Sequence, residues 1–268
     1  MNELVVDYIS DLHLSFYLKA SSNGYEEIQM DEFISRVIEP QAKGEILVVA
    51  GDITEFTKHG VLFLKKCAKY YKKVFFVAGN HEYYISYFLN KDMKKDYDYE
   101  SINKINEMRE LVSHIDNVEL LDRNSENGGI AEYKGFKIAG DTFWYVPKDF
   151  ISWLYYIIFS LDSKFIHAKD VTKIQMIKDL HQSSIDWYNN LPDDLDLIVT
   201  HVPPIRTRRG SCYFYEIDDY KAPVWIFGQD HTIHADIQDG DTRLVSNPWG
   251  CISKDFKVKT LTLKKDTS

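Results

Sequence analysis

The chain has 268 residues, 44% of them hydrophobic and 27% charged, which supports a sizeable core and excludes a membrane-embedded or a disordered chain. Its net charge of −9 at pH 7 disfavours a grip on extended nucleic acid, which needs basic surface. A short nucleotide stays admissible, because bound cations reverse the local sign.

Residues 4–9 form a β-branched run that reads as a buried strand ending in the polar SDLH. Helical spacing over 30–40 puts Phe33, Ile34, Val37 and Ile38 on one face, with Pro40 as the stop. A strand at 46–50 leads to GDIT, a helix is expected over 61–71, and a strand at 74–78 leads to GNHE. Strand, helix and strand in alternation predict a largely parallel sheet covered by helices. Further on come a helix over 101–115, a short strand at 118–121, and a hairpin over 129–140 turning at Lys134-Gly135, which predicts a second sheet. Residues 144–167 are aromatic-rich and irregular. A helix over 171–191 opens at Asp170 and closes before Pro192. Strands at 195–200 and 224–227 lead to HVPP and GQDHTIH, and the tail alternates through 243–246 and 256–263. With no repeat or linker, residues 1–268 read as a single domain.

The three cysteines, Cys67, Cys212 and Cys251, are scattered without a CxxC, and the N-terminus shows no signal peptide. Reduced thiols and a cytoplasmic location are expected. The most apolar stretch, residues 151–161, has eleven residues where a spanning helix needs ~20, so no membrane partner is expected. The oligomeric state is not legible.

Five apolar strands each end in residues of metal-ligand type: Asp11 and His13, Asp52, Asn80 and His81, His201, and His231. Ligands of open α/β sheets bind beyond the carboxyl ends of the strands, so five ends of one sheet would converge. Carboxylate, imidazole and amide oxygen suit Mn, Fe, Zn or Co better than Mg, and the absence of cysteine argues against a thiolate zinc site. Asp11 and His13, two apart on extended chain, would point the same way. Gly51, Gly79 and Gly228 each stand just before these clusters, where a missing side chain lets backbone approach.

In this order SDLH, AGDI, AGNHEYY, THVPP and FGQDH resemble the calcineurin-like metallophosphoesterase superfamily, across residues 10–231. The resemblance implies an α/β four-layer sandwich of two packed mixed β-sheets flanked by helices, with two divalent metal ions. Asp11, His13 and His231 would hold the first, Asp52 would bridge, Asn80 and His201 would hold the second, and His81 would protonate the leaving oxygen. The implied reaction is phosphate-ester hydrolysis by a hydroxide shared between the cations. A small phosphodiester or nucleotide is the expected substrate, with a phosphomonoester as the alternative. The superfamily's last motif is GHxH, and here its first histidine is Gln229. An ungapped alignment puts Gln229 in a second-metal place and predicts a weaker second site; a rival alignment pairs His231 with His234. Gln229 also keeps open a non-catalytic metal-binding scaffold.

Two further segments allow two readings each. The aromatic residues of 141–167 are either ordinary packing or a wall against the leaving group. Arg206, Arg208 and Arg209 form either a solvated turn or a phosphate clamp. His59, His114, His167 and His181 lie outside the motifs and read as surface or structural.

Overall fold

The computed structural model describes residues 2–18, 25–85, 93–207, 213–250 and 256–265. Arg208, Arg209, Cys212 and Cys251 lie outside them, whereas Cys67 is buried as a free thiol.

In chain order the strands are β1 (Asn2–Ile9), β2 (Ile46–Ala50), β3 (Lys73–Val77), β4 (Val118–Leu120), β5 (Ile130–Tyr133), β6 (Phe136–Asp141), β7 (Leu197–Thr200), β8 (Val224–Phe227), β9 (Asp236–Asp239), β10 (Thr242–Ser246) and β11 (Lys259–Lys265). The α-helices are α1 (Tyr25–Phe33), α2 (Thr57–Cys67), α3 (Met93–Asp96), α4 (Ile102–Ser113), α5 (Phe150–Phe159), α6 (Asp162–Phe165) and α7 (Lys173–Asn189). One sheet has the order β11-β1-β2-β3-β4 and the other β5-β6-β7-β8-β10-β9. Strands β1 to β4 run parallel, with β4 a parallel edge, as do β6, β7, β8 and β10, while β11, β5 and β9 are antiparallel edges.

Alternation along the strands divides the core. Ile46, Val48 and Phe75 face the second sheet and meet Ile138, Val199 and Ile226. Leu47, Val49 and Phe76 face the other way, onto Phe63, Leu64 and Met108 of α2 and α4. On the far side Trp187 and Tyr188 of α7 cover Ile198 and Trp225. The result is the expected four-layer α/β sandwich, since side chains two apart share a sheet face. The strand ends that carry the motifs belong to both sheets, three to the first and two to the second, so convergence crosses the gap between sheets.

Several expectations shift. The first helix starts at Tyr25 and passes through a π-turn (Ile34–Ile38) and a 3-10 turn (Glu39–Gln41) that holds Pro40 near its start. Proline lacks an N–H and is tolerated in a first turn. Thr172, not Asp170, caps α7, its hydroxyl accepting from Gln175 N at 3.2 Å. Residues 144–167 are not irregular throughout, because α5 and α6 form there, α5 capped by Asp149. The exposed edge β9 went unread, having no apolar alternation. The hairpin turn is as expected, with Lys134 and Gly135 both at positive φ. Among the described residues no helix is long and apolar enough to cross a membrane.

Candidate metal centre

The loops after β1, β2 and β8 bend sharply into the site. Asp11 (φ 53°), His13 (φ 45°), Asp52 (φ 56°) and Gln229 (φ 71°) all adopt left-handed backbone, which is uncommon outside glycine and clusters at functional sites. Asp11 and His13 therefore do not converge through extended chain, as the spacing suggested; the turn aims them together. Hydrogen bonds between loops fix the bends, from His13 N to Asp52 O and from Gly228 N to His201 O, each 3.0 Å. Glu82 anchors two loops at once. Its carboxylate accepts from the backbone N–H of Asp52 (2.9 Å), Ile53 (2.8 Å), Thr54 (3.1 Å) and Gly79 (2.7 Å), two on each oxygen. All four lone-pair positions are thus taken, which favours the ionised form against burial and Asp52, which together raise the group to about 7. Two glycines make room: a Cβ on Gly51 would stand 2.5 Å from His201 Nδ1, and one on Gly79 would strike the Asp52 carboxylate.

Asp11, His13, Asp52 and His231 each bring a ligand-type atom to within 4.8 Å of the others, a grouping that could hold a metal ion. His13 Nε2 lies 2.9 Å from His231 Nε2, and His231 Nε2 lies 3.4 Å from Asp11 Oδ1. Asp52 Oδ2 sits between the halves, 3.8 Å from His13 Nε2, 3.4 Å from His201 Nε2 and 3.8 Å from His81 Nε2. On the other side Asn80 Oδ1 is 2.9 Å from His201 Nε2. Asn80 donates both amide hydrogens, to Tyr84 Oη (2.9 Å) and Asp162 Oδ1 (2.7 Å), so its carbonyl oxygen must face His201. His201 in turn donates Nδ1–H to Ala50 O at 2.8 Å, leaving Nε2 directed at the site. Lone pairs this close need a proton or a cation between them. Asp11 Oδ2, Asp52 Oδ2, His13 Nδ1 and Gln229 Oε1 are buried without a hydrogen-bond partner among the described residues. Buried polar atoms are otherwise almost always paired, so the donor set fits divalent cations.

In the protein alone, protons stand in for that charge. Burial opposes ionisation of His201, yet Asp52 and Asp11 outweigh it and raise the group to about 10. His81 is likewise raised to about 9 against burial, by Asp52 and by Glu55, whose Oε1 lies 2.6 Å from His81 Nδ1. Burial pulls His13 down to about 3.

Every motif residue singled out from the sequence lies at this centre. His231 joins it, whereas His234 is exposed and turned toward Asn247 Oδ1 at 3.2 Å. Gln229 donates its backbone N–H to Asp11 Oδ1 at 3.1 Å. Arg206 is exposed, with its guanidinium 4.9 Å from the Phe214 ring centre. Phe143, Trp144, Tyr145 and Tyr156 are packed inside, which gives that part of the aromatic segment a core role.

Sequence reasoning missed Glu55, Glu82, Lys104 and Asp162. Glu55 orients His81. Lys104, fully buried, donates to Glu55 O (2.7 Å) and Tyr84 O (2.6 Å), tying together the loops beside His81. Asp162 accepts from Asn80, from Tyr84 Oη (2.6 Å) and from Tyr145 Oη (2.6 Å). Only Glu55 had a local signal, as the one acid in the loop after GD.

The family described as calcineurin-like phosphoesterase matches residues 4–232. Among solved structures the chain is similar to the phosphopantetheinyl hydrolase PptH from Mycobacterium tuberculosis, with 16% identity, a TM-score of 0.61, and coverage of 92% of this chain and 89% of that one. It also matches a protein of unknown function, AQ665 from Aquifex aeolicus, with 17% identity, a TM-score of 0.24, and coverage of 78% and 82%. No curated protein matches.

Proposed function

The chain belongs to the calcineurin-like phosphoesterase family, and from that premise we propose that it hydrolyses a small phosphodiester or nucleotide with two divalent cations, Mn, Fe, Zn or Co. Asp11, His13, Asp52 and His231 hold the first; Asp52, Asn80, His201 and Gln229 hold the second. The observation that carries this reading is the pair of facing lone-pair contacts, His13 to His231 and Asn80 to His201, on either side of the unpartnered Asp52 Oδ2.

When bound, two such cations neutralise phosphoryl charge and supply an ionised water as nucleophile at neutral pH. Asp52 offers one carboxylate to both halves and offsets their charge. His81, kept protonated and oriented by Glu55, donates a proton from Nε2 to the departing oxygen. Lys104 and Glu82 hold the loops that set this geometry. Against a non-catalytic scaffold stands the His81–Glu55 pair, which a metal store does not need.

Hydrolysis of bis-p-nitrophenyl phosphate and p-nitrophenyl phosphate by chelated and manganese-loaded protein tests the reading. Manganese-dependent cleavage with preference for the diester is expected. Preference for the monoester would move the substrate class, and inactivity toward both would favour the scaffold.

A further inference from the structure

Helix α5 stands apart from the other helices in what it exposes. Phe150 is 81% exposed, Ile151 77% and Phe159 61%, and Leu154, Ile158 and Leu161 are about half exposed. Every exposed position from 150 to 161 carries an apolar or aromatic side chain. At 3.6 residues per turn these positions cover an arc of about 200°, running from Ile157 round to Phe159. Only a narrow side is inward: Tyr156 is buried against Tyr145 and Trp153, and Ser160 is buried behind it. The helix is no frayed end. Asp149 caps it, accepting from Ser152 N at 2.8 Å, and Asp162 just beyond it is held by Tyr84, Tyr145 and Asn80. Exposed apolar surface of this extent marks an interaction site.

We infer that α5 is a membrane-docking element that lies in the interfacial plane of a phospholipid bilayer, its apolar arc among the acyl chains and its lysine rim at the lipid phosphates. The width of the arc selects this occupant. A packed helix covers a stripe of roughly 100°, which would leave half of the apolar arc in water, whereas a bilayer surface covers half a cylinder. Charge agrees. From residue 148 to 178 the chain has five lysines, Lys148, Lys164, Lys169, Lys173 and Lys178, against Asp149, Asp170 and the buried Asp162, although the whole chain carries −9. Lys148 and Lys164 stand just before and just after the helix, and Lys178 Nζ lies 5.8 Å from the Trp153 ring beside it. Two of these lysines are neutralised, Lys148 by Glu216 and Lys169 by Asp98, which leaves Lys164, Lys173 and Lys178 without an acidic partner among the described residues. A second copy docking through a twofold axis would set this same rim against itself, while phosphate headgroups complement it. Ten residues are too few to span, so the helix lies on the surface, an arrangement that span length does not test. The docking surface does not depend on the reading of the metal centre.

Flotation of the full chain with vesicles of phosphatidylcholine and phosphatidylglycerol, or of phosphatidylcholine alone, tests the inference. The protein is expected to float with both, more completely with the anionic vesicles. Ile151→Glu with Ile158→Glu is expected to lower the partition coefficient by about tenfold or more. Lys164→Gln with Lys178→Gln is expected to lower it several-fold on the anionic vesicles only. Thermal unfolding by circular dichroism, unchanged in both variants, shows that lost binding is not lost fold. Wild-type protein left at the bottom of the gradient overturns the inference. So does a dimer by light scattering that the glutamate substitutions dissociate without any effect of vesicles.

Discussion

Two halves of the centre meet at Asp52 and are held in different ways. In the Asn80–His201 half the protein fixes two ligand-type atoms: Ala50 O sets the His201 ring, while Tyr84 and Asp162 set the Asn80 amide, and Gln229 Oε1 alone is without a partner among the described residues. In the Asp11–His13–His231 half, Asp11 Oδ2 and His13 Nδ1 have no partner, and two imidazole nitrogens face each other. The Asn80–His201 half is pre-organised by its surroundings; the Asp11–His13–His231 half would be completed by what it binds. Ligand charge, two carboxylates against one, then favours the Asp11–His13–His231 half for affinity, and outer hydrogen bonds favour the Asn80–His201 half for rigidity.

Asp52→Asn removes the charge that both halves share. Activity should fall by at least ~10²–10³-fold, with loss of at least one cation by elemental analysis and of the metal-linked rise in Tm. A fully metallated, active variant would remove the shared carboxylate from the account.

His81→Ala should lower turnover by ~10²–10⁴-fold with metal content intact, and less with p-nitrophenyl esters than with alkyl esters, whose leaving oxygen needs the proton more. As the proposed acid, His81 should give an activity that falls as pH rises through its pKa, which Asp52 and Glu55 hold up against burial. Glu55→Gln deletes one of those anions and should move the falling limb to lower pH. A limb that stays in place would detach Glu55 from the proton transfer.

Asp162→Asn leaves every proposed ligand in place and acts on one half alone. It should weaken the second cation by about 10–100-fold, the usual effect of losing an outer hydrogen bond to a ligand. Equal weakening of both cations in a metal titration would erase the distinction between the halves.

These residues also show where sequence reading reached and where it stopped. Parallel strands carry their carboxyl-end loops to one edge of each sheet, so polar residues after apolar runs were legible as a site, whereas the four layers were legible only through the family resemblance that those motifs carry. Asp162 lies 82 residues from Asn80, and Lys104 reaches the backbone of Glu55 and Tyr84. Such contacts exist only once distant segments pack. Glu82 stood in view within GNHE, but its partners are backbone N–H groups, which leave no pattern in side-chain chemistry. Residues 151–161 stayed open between ordinary packing and a wall against the leaving group, because apolarity alone does not tell a covered face from an exposed one.

Gln229→His should have the smallest effect and a favourable one. Imidazole binds later first-row metals better than an amide oxygen does, so the variant should reach full activity at lower manganese. His234→Ala should be nearly silent, since that ring meets Asn247 rather than the centre. The reverse pattern would restore the alternative pairing of His231 with His234.

Calorimetric titration of the chelated protein with manganese tests the two-halves account most directly. Two unequal binding steps are expected, the tighter one lost in His13→Ala and the weaker one lost in His201→Ala. Two steps of equal affinity, a single step, or no binding would contradict it.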